Sequence, residues 1–180
     1  MEKVLVFVDE QRYEEALQEI SLIKRNNPNP MLFMMEAVAN MELGRYENAE
    51  TSALIAFRMN PCVESYNILI NLYIRSDKLQ EALKLADKTI KRFKQVDHYR
   101  IKTQILLRLN NPKAAIKNIF KTLKFEPRDA IHYYDLASCY SLLSNYRNAL
   151  KYIDIAITLN PAPEFYQLKN MFTQLLSGQR

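Results

Sequence analysis

The sequence repeats itself with a period of 33 to 34 residues. Five alanines mark the period, at intervals of 33, 33, 33 and 34 residues: Ala16, Ala49, Ala82, Ala115 and Ala149. A proline closes four of the five periods: Pro28, Pro61, Pro127 and Pro161. A fixed period in this range indicates an array of small supersecondary units, each of which buries its apolar face against the next. The repeat therefore constrains the fold more than any other feature of the chain.

Each period predicts two helices joined by a short polar turn. In the third period, Tyr66, Leu69, Ile70 and Tyr73 have the i, i+3, i+4, i+7 spacing of an amphipathic helix. The repeated alanines fall in the first turn of each second helix, where a small side chain allows the two helices to approach closely. We predict that Asp77, Asn111 and Ser144 are N-caps of second helices, and that Pro112 occupies a first helical position.

The residues around the turns resemble the tetratricopeptide repeat, which has an early aromatic residue, a Gly-x-Tyr-x-x-Ala turn and a closing proline. Two periods carry this pattern most fully: Gly44, Tyr46, Ala49, Ala56 and Pro61, then Tyr140, Ser144, Tyr146, Ala149, Ala156 and Pro161. The fourth period departs from it, because Pro112 replaces the turn aromatic and Lys102-Thr103 replaces a Leu-small pair. The resemblance implies an all-α, right-handed superhelix, or α-solenoid, whose first helices line a concave face.

We predict a single domain, residues 1–180, of about five helix–turn–helix repeats and a C-terminal capping helix. The repeats are expected at 1–29, with a shortened first helix, then at 30–61, 62–94, 95–128 and 129–161. The capping helix is expected at 162–177, with Phe165, Leu168, Phe172 and Leu175 on one face. A terminal repeat needs such a helix to cover its apolar side.

The composition excludes several classes of site. Only two glycines are present, Gly44 and Gly178, so no glycine-rich phosphate loop can form. No apolar run approaches the roughly 18–20 residues that span a bilayer, so no membrane contact is expected. Cys62 and Cys139 lie two repeats apart, too far for a disulfide, which suits a reducing cytoplasmic location.

No catalytic or metal-binding motif stands out in the sequence. His98 and His132 occupy equivalent places in adjacent repeats, but neither has a second histidine or a cysteine at ligand spacing. We interpret both as helix-start residues that are partly exposed. The sequence therefore predicts a protein that is not an enzyme and that needs no cofactor or metal.

The resemblance implies that a partner protein binds along the first helices. Their outward positions, including the flexible side chains of a Met-rich second repeat, predict these contacts: Met34, Met41, Asn67, Asn71, Arg100, Gln104, Arg108, Tyr134 and Ser138. Asn67 and Asn71 can hold a peptide backbone through their amides. Arg100, Gln104 and Arg108 form a stripe that suits an acidic segment. The expected function is an adaptor or chaperone-like scaffold for an extended or helical segment.

Tetratricopeptide co-chaperones bind the C-terminal carboxylates of large heat-shock chaperones with a clamp of lysine, asparagine and arginine side chains over three repeats. In the two possible frames, the corresponding positions hold Met34, Val38, Ile68, Asp97 and Ile101, or Asn67, Asn71, Ile101, Ile131 and Asp135. Neither frame contains the cations. We therefore expect no heat-shock carboxylate clamp.

Charge is distributed unevenly and leaves an alternative function open. The net charge is +5, but residues 1–61 carry −4, residues 62–128 carry +9, and residues 129–180 are neutral. The excess is concentrated in the second helices of repeats three and four, and Lys113, Lys117, Lys121 and Lys124 follow one side of a single helix. The alternative is an RNA-associated protein that uses this basic face. The acidic first third works against a continuous track for nucleic acid.

Overall fold

The structure is a computed structural model that describes residues 1–178. These residues form eleven α-helices and no strand. In chain order the helices are α1 (Glu2–Asp9), α2 (Tyr13–Asn26), α3 (Pro30–Glu42), α4 (Tyr46–Met59), α5 (Val63–Arg75), α6 (Leu79–Phe93), α7 (Val96–Arg108), α8 (Pro112–Thr122), α9 (Ala130–Leu142), α10 (Tyr146–Leu159) and α11 (Pro163–Ser177). The first ten helices form five antiparallel pairs, and α11 follows the last pair. The all-α prediction of repeated helix pairs is confirmed.

The contacts between Cα atoms divide the chain into two compact units. Unit 1 is Met1–Phe93, which contains α1 to α6, and unit 2 begins at Lys94 and contains α7 to α11. The prediction that both belong to one domain stays a prediction.

The repeated alanines are buried where the two helices of a pair pack together. Ala49, Ala82 and Ala149 are at most 1% exposed. In unit 1, Ala49 packs in one cluster with Ala37 of the facing helix, and in unit 2 Ala149 packs in the same way with Ala137. A larger side chain at these positions has no room, because the interior is already close-packed. The alanine period of the sequence is thus a period of interhelical contacts.

The turns inside the five pairs share one backbone conformation. The residue at the same place in each turn has a positive φ: Gln11 (59°), Gly44 (73°), Asp77 (58°), Asn110 (51°) and Ser144 (56°). The next residue donates its backbone N–H to a carbonyl five positions earlier, as in Arg45 N to Asn40 O at 2.8 Å. This is the Schellman motif, which satisfies the last carbonyls of a helix. Each turn therefore ends the first helix with a left-handed residue.

This conformation corrects two of the predicted N-caps. Asp77 and Ser144 are the left-handed residues of their turns, so they terminate the first helix instead of capping the second. In the fifth pair the cap is Asn145, whose side chain accepts a hydrogen bond from Asn148 N at 3.2 Å. The prediction for Asn111 is confirmed, since its side chain accepts from Ala114 N at 3.2 Å and Pro112 follows at the first helical position.

Replacing Gly44 with alanine should lower the free energy of unfolding by about 1–2 kcal/mol, because a Cβ disfavours the left-handed conformation. Gly44 has φ +73° and nothing within 4 Å of the added Cβ, so the cost is backbone strain and not a clash. Chemical denaturation measures the change. Gly178→Ala is the matched control, because Gly178 has φ −74° and should lose nothing. Equal stability of the two variants would contradict the left-handed turn.

Where the fourth repeat departs from the family pattern, its two helices make a polar contact. Thr103 is 2% exposed and Asn118 is 4% exposed. The Asn118 side-chain amide donates to the Thr103 hydroxyl at 2.8 Å and to the Tyr99 carbonyl at 2.6 Å. A buried amide is stabilised only when it finds such partners. The pair α7–α8 is therefore held by a satisfied hydrogen-bond network at the place where an apolar pair was expected.

The last helix covers the core of unit 2 with the expected face, apart from one residue. Phe165 and Phe172 are 5% and 0% exposed and pack in one cluster with Ile153 of α10. Leu168 packs half-buried against the same cluster. Leu175, which was expected on this face, is 41% exposed, so that part of the prediction is wrong. Among the helices described, none has both the length and the apolar character needed to cross a bilayer.

Candidate partner-binding site

A small apolar cavity opens on the first helices of unit 1. It has a volume of about 190 Å³, and its lining residues come from α1, α3 and α5: Val8, Met31, Met34, Met35, Val38, Glu64 and Ile68. All of them except Glu64 are apolar. Met31 is 51% exposed at its rim, whereas Met34 and Met35 are 7% and 8% exposed. The cavity therefore combines a buried apolar interior with an accessible rim.

The cavity continues into polar groups along α5. Ile68 follows Glu64 by four residues, and Asn71 follows Ile68 by three. This spacing places the three side chains on one side of α5. Asn71 is exposed and Asn67 is half-buried. A hydrogen bond from Cys62 and one from the Glu64 backbone hold the pKa of the Glu64 carboxyl below its ordinary value. Beside the apolar cavity, α5 thus presents an ionised carboxylate and amide groups.

Of the two methionines predicted to contact a partner, only Met34 lines this cavity. Met41 does not face outward as expected, because it is 3% exposed. It packs in the core of unit 1 with Ala37, Ala49 and Leu72. The difference arises because α3 is apolar on nearly every side.

In unit 2, Arg100 of the predicted site lies in a cluster of charged groups. Its guanidinium donates to Glu126 at 2.8 Å and also to Asp129, which caps α9. The Nε2 atom of His132 lies 3.0 Å from the same Glu126 oxygen and 3.9 Å from Asp129. The predicted basic stripe therefore offers a partner less positive charge than the sequence suggested, since two carboxylates already surround Arg100.

The same cluster contains three groups that metal ions commonly use as ligands. The donor atoms of Glu126, Asp129 and His132 lie within 4.8 Å of one another. However, both carboxylates already accept hydrogen bonds from Arg100. A cation entering here would have to displace a guanidinium that already neutralises them. The arrangement is that of an ion-pair network between α7 and the start of α9.

The two histidines are more buried than expected. His98 and His132 are 1% and 2% exposed, so the interpretation of both as partly exposed is wrong. Burial lowers the pKa of His98, and the nearby Asp97 opposes this effect. Each histidine lies in the first turn of a first helix, where the sequence pattern does not distinguish a buried side chain from an exposed one.

The other predicted site residues of unit 2 differ in exposure. Gln104 and Arg108 are exposed on α7, and Ser138 is half-buried on α9. Tyr134 stacks on Phe165 of the last helix, with ring centroids 5.1 Å apart, so its ring belongs to the packing of α11.

Both cysteines are free thiols, and burial raises the pKa of Cys139 to about 12. At this pKa the Cys139 thiol is inert as a nucleophile.

Sequence reasoning missed Val8 and Glu64 as neighbours of the methionines. Val8 lies in the short first helix, and its approach to α3 depends on how the first two helix pairs stack. Ile68 could have been found from the sequence, because it lies one helical turn from the predicted contact Asn71, and also from Glu64, on α5. The repeat period places side chains within a helix pair better than it places them between pairs.

Solved structures with the same fold support the assignment of the repeats. The C-terminal part of a TPR repeat-containing protein from Cytophaga hutchinsonii matches 99% of this chain and 72% of its own, with a TM-score of 0.85 and 16% identity. The MamA protein matches 89% of this chain and 90% of its own, with a TM-score of 0.77 and 18% identity. The APC/C hetero-tetramer Cut9–Hcn1 matches 94% of this chain and 34% of its own, with a TM-score of 0.67 and 14% identity. Because the sequence identities are this low, the similarity to these structures shows the fold alone.

Sequence models of the tetratricopeptide repeat match two parts of the chain, residues 34–97 and residues 133–163. Together the two matches cover just over half of the 180 residues. No curated protein sequence matches the chain. The matched residues include Ala49, Ala82 and Ala149 and the turns that precede them. The chain therefore belongs to the tetratricopeptide repeat family.

Proposed function

We propose that this protein is a non-catalytic scaffold that binds an extended or helical segment of a partner protein. The observation that carries the proposal is the apolar cavity between α1, α3 and α5. Membership of a family of helical repeats supports it, because stacked repeats create extended surfaces suited to binding. One structural relative, Cut9–Hcn1, is itself a hetero-tetramer. A cytoplasmic location is part of the same proposal.

The size of the cavity favours a side chain as its occupant. Pockets for drug-sized ligands have volumes of about 300–1,000 Å³, and this cavity measures about 190 Å³. A space of this size suits one apolar side chain of a partner. Met31, Met34 and Met35 provide flexible, polarizable walls that can adjust to different apolar groups. We therefore infer an aliphatic or aromatic anchor residue in the bound segment.

The groups beside the cavity favour a peptide over an isolated apolar molecule. The Asn67 and Asn71 side chains offer amide donors and acceptors that a peptide backbone can use. Glu64 adds a negative charge at the lining of the cavity. On this basis the segment next to the anchor is neutral or basic where it meets unit 1. Gln104, Arg108 and Ser138 remain proposed contacts on unit 2.

A random peptide library displayed on phage tests this function directly, with wild-type protein as the target. We expect enriched peptides to share an apolar anchor, and Met31→Glu to weaken the best peptide at least about tenfold, which corresponds to about 1.4 kcal/mol. The physical reason is that a charge at the rim would have to be buried by the anchor. Fluorescence anisotropy with the labelled peptide measures the affinity.

Leu22→Glu is the matched control for Met31→Glu. Leu22 is 55% exposed, close to the 51% of Met31, and it lies on α2 away from the cavity. The control variant should bind the peptide as wild type does. Failure to enrich any peptide, or equal losses in the two variants, would argue against this cavity as the binding site.

A further inference from the structure

The second helices of unit 2 carry a dense positive surface. It consists of Lys113, Lys117 and Lys121 on α8, Lys124 in the turn that follows, and Arg147 and Lys151 on α10. We call this set the α8–α10 basic face. All six side chains are exposed. Along α8 the lysines recur every four residues, which is about 6 Å of helix. An extended polyanion lying along the helix can therefore contact several of them at once.

This surface lacks internal neutralisation. None of its six cations forms an ion pair with a carboxylate among the residues that the structure describes. Neither α8 nor the turn after it contains a carboxylate before Glu126, and Glu126 faces Arg100 and His132 instead. The only acidic residue of α10 is Asp154, which pairs with Lys169 of α11 at 2.8 Å. By contrast, α6 has lysines in the same register but also Glu81 and Asp87.

Two exposed aromatic rings lie among the lysines. Phe120 is 42% exposed and falls between Lys117 and Lys121 on the same side of α8. Its ring centroid is 6.3 Å from that of Tyr152 on α10, so it connects the two helices of the basic face. Phe125 follows Lys124 and is 55% exposed, and its ring centroid lies 5.9 Å from that of Tyr99 on α7. Exposed aromatic rings within a positive surface are the arrangement on which unpaired bases stack.

We propose that the α8–α10 basic face binds single-stranded nucleic acid, with the lysines on the phosphates and Phe120 and Phe125 against the bases. A membrane surface fits these observations less well. The apolar side of α8, with Ala115, Ile119 and Thr122, is buried against the rest of unit 2. Only the two phenylalanines remain to enter a bilayer, whereas an interfacial helix inserts a whole apolar face. The proposal is independent of the peptide cavity in unit 1.

The first test is anisotropy of a fluorescent single-stranded RNA of mixed sequence, titrated with the full chain at several salt concentrations. With four to six phosphate contacts, the slope of log K against log salt should be about −3 to −4. Affinity should then fall roughly 50- to 300-fold between about 50 and 200 mM salt. Anionic phospholipid vesicles are titrated in parallel. Binding to the vesicles without binding to RNA would overturn the proposal.

Charge reversal with a register-matched control locates the site. Lys117→Glu/Lys121→Glu should weaken RNA binding at least about tenfold. Lys84→Glu/Lys88→Glu makes the same change in net charge at the equivalent positions of α6, 33 residues earlier, and should change binding far less. All four lysines are exposed, so folding should survive, and circular dichroism checks this. Equal losses in the two double variants would mean that net charge alone attracts RNA, and would overturn the proposed site.

Phe120→Ala separates base stacking from attraction to a polyanion. The variant should lose roughly fivefold or more in affinity for RNA. Its affinity for heparin, a polyanion without bases, should stay at the wild-type value. If Phe120→Ala weakened the binding of RNA and heparin equally, or left RNA binding unchanged, Phe120 would not be a contact for the bases.

Discussion

Replacing Phe172 with alanine is expected to lower the free energy of unfolding by about 3–5 kcal/mol. The Phe172 side chain is 0% exposed and packs on Ile153 and the alanines of α10 and α9. Truncation leaves a cavity that these helices cannot fill, because their small side chains already set the closest approach. Urea denaturation followed by circular dichroism measures the loss. Since a domain of this kind is stabilised by only about 5–15 kcal/mol, the effect is a large part of the total.

Met171→Ala is the matched control on the same helix. Met171 is adjacent in sequence to Phe172 but 43% exposed, so its truncation should change stability by no more than about 0.5 kcal/mol. A similar, small effect at both positions would mean that α11 does not cover the core of unit 2 in solution. A large effect at Phe172 alone would establish α11 as the helix that closes the last repeat.

Much of the fold was predictable because the repeat specifies it many times over. The ends of α4 and α10 at Met59 and Leu159 were marked by the Asn-Pro pairs that follow them. The buried alanines were marked by their period. In each case one pattern occurs in several repeats, so a single deviation, such as Lys94 in place of a proline, does not obscure it.

The conformation of the turns could not be predicted from the same period. A polar residue before a second helix is compatible with an N-cap and also with the left-handed end of the first helix. Asp77 and Ser144 take the second option, one residue earlier than a cap would lie. Asn and Asp tolerate both conformations. The choice depends on the Schellman hydrogen bonds, which only the backbone geometry reveals.

The candidate site was predictable only in part, for two physical reasons. Helix α3 is apolar almost all round, so periodicity could not separate the core position of Met41 from the cavity position of Met34. Arg100 is neutralised by Glu126 and Asp129, which lie 26 and 29 residues later in the chain. A stripe of charged residues identified along one helix gives no information about the charged groups that other parts of the chain place beside it.

One substitution, at Asp135, is expected to stabilise the protein. Burial raises the pKa of its carboxyl from 3.8 to about 6. His132 and Arg100 oppose the shift, and Asp129 adds to it. At neutral pH the folded protein therefore holds a partly desolvated negative charge.

The sign of the pH dependence follows from the direction of this shift. Because the folded pKa lies above the unfolded one, the protonated carboxyl stabilises the native state fully below about pH 4. That contribution is lost as the pH rises through about 6. A shift of this size corresponds to about 3 kcal/mol. Asparagine is neutral at every pH and avoids the loss.

Asp135→Asn should therefore raise the free energy of unfolding by about 2–3 kcal/mol at pH 7.5, and the difference should vanish near pH 4. Thermal and urea unfolding of both proteins across this range measures it. Asp154→Asn is the control, since the Asp154 side chain is 53% exposed and pairs only with Lys169. It should change stability by no more than about 0.5 kcal/mol at either pH. A destabilised Asp135→Asn variant at pH 7.5 would show instead that the carboxylate is stabilised by an ion pair, for which Arg100 is a candidate cation.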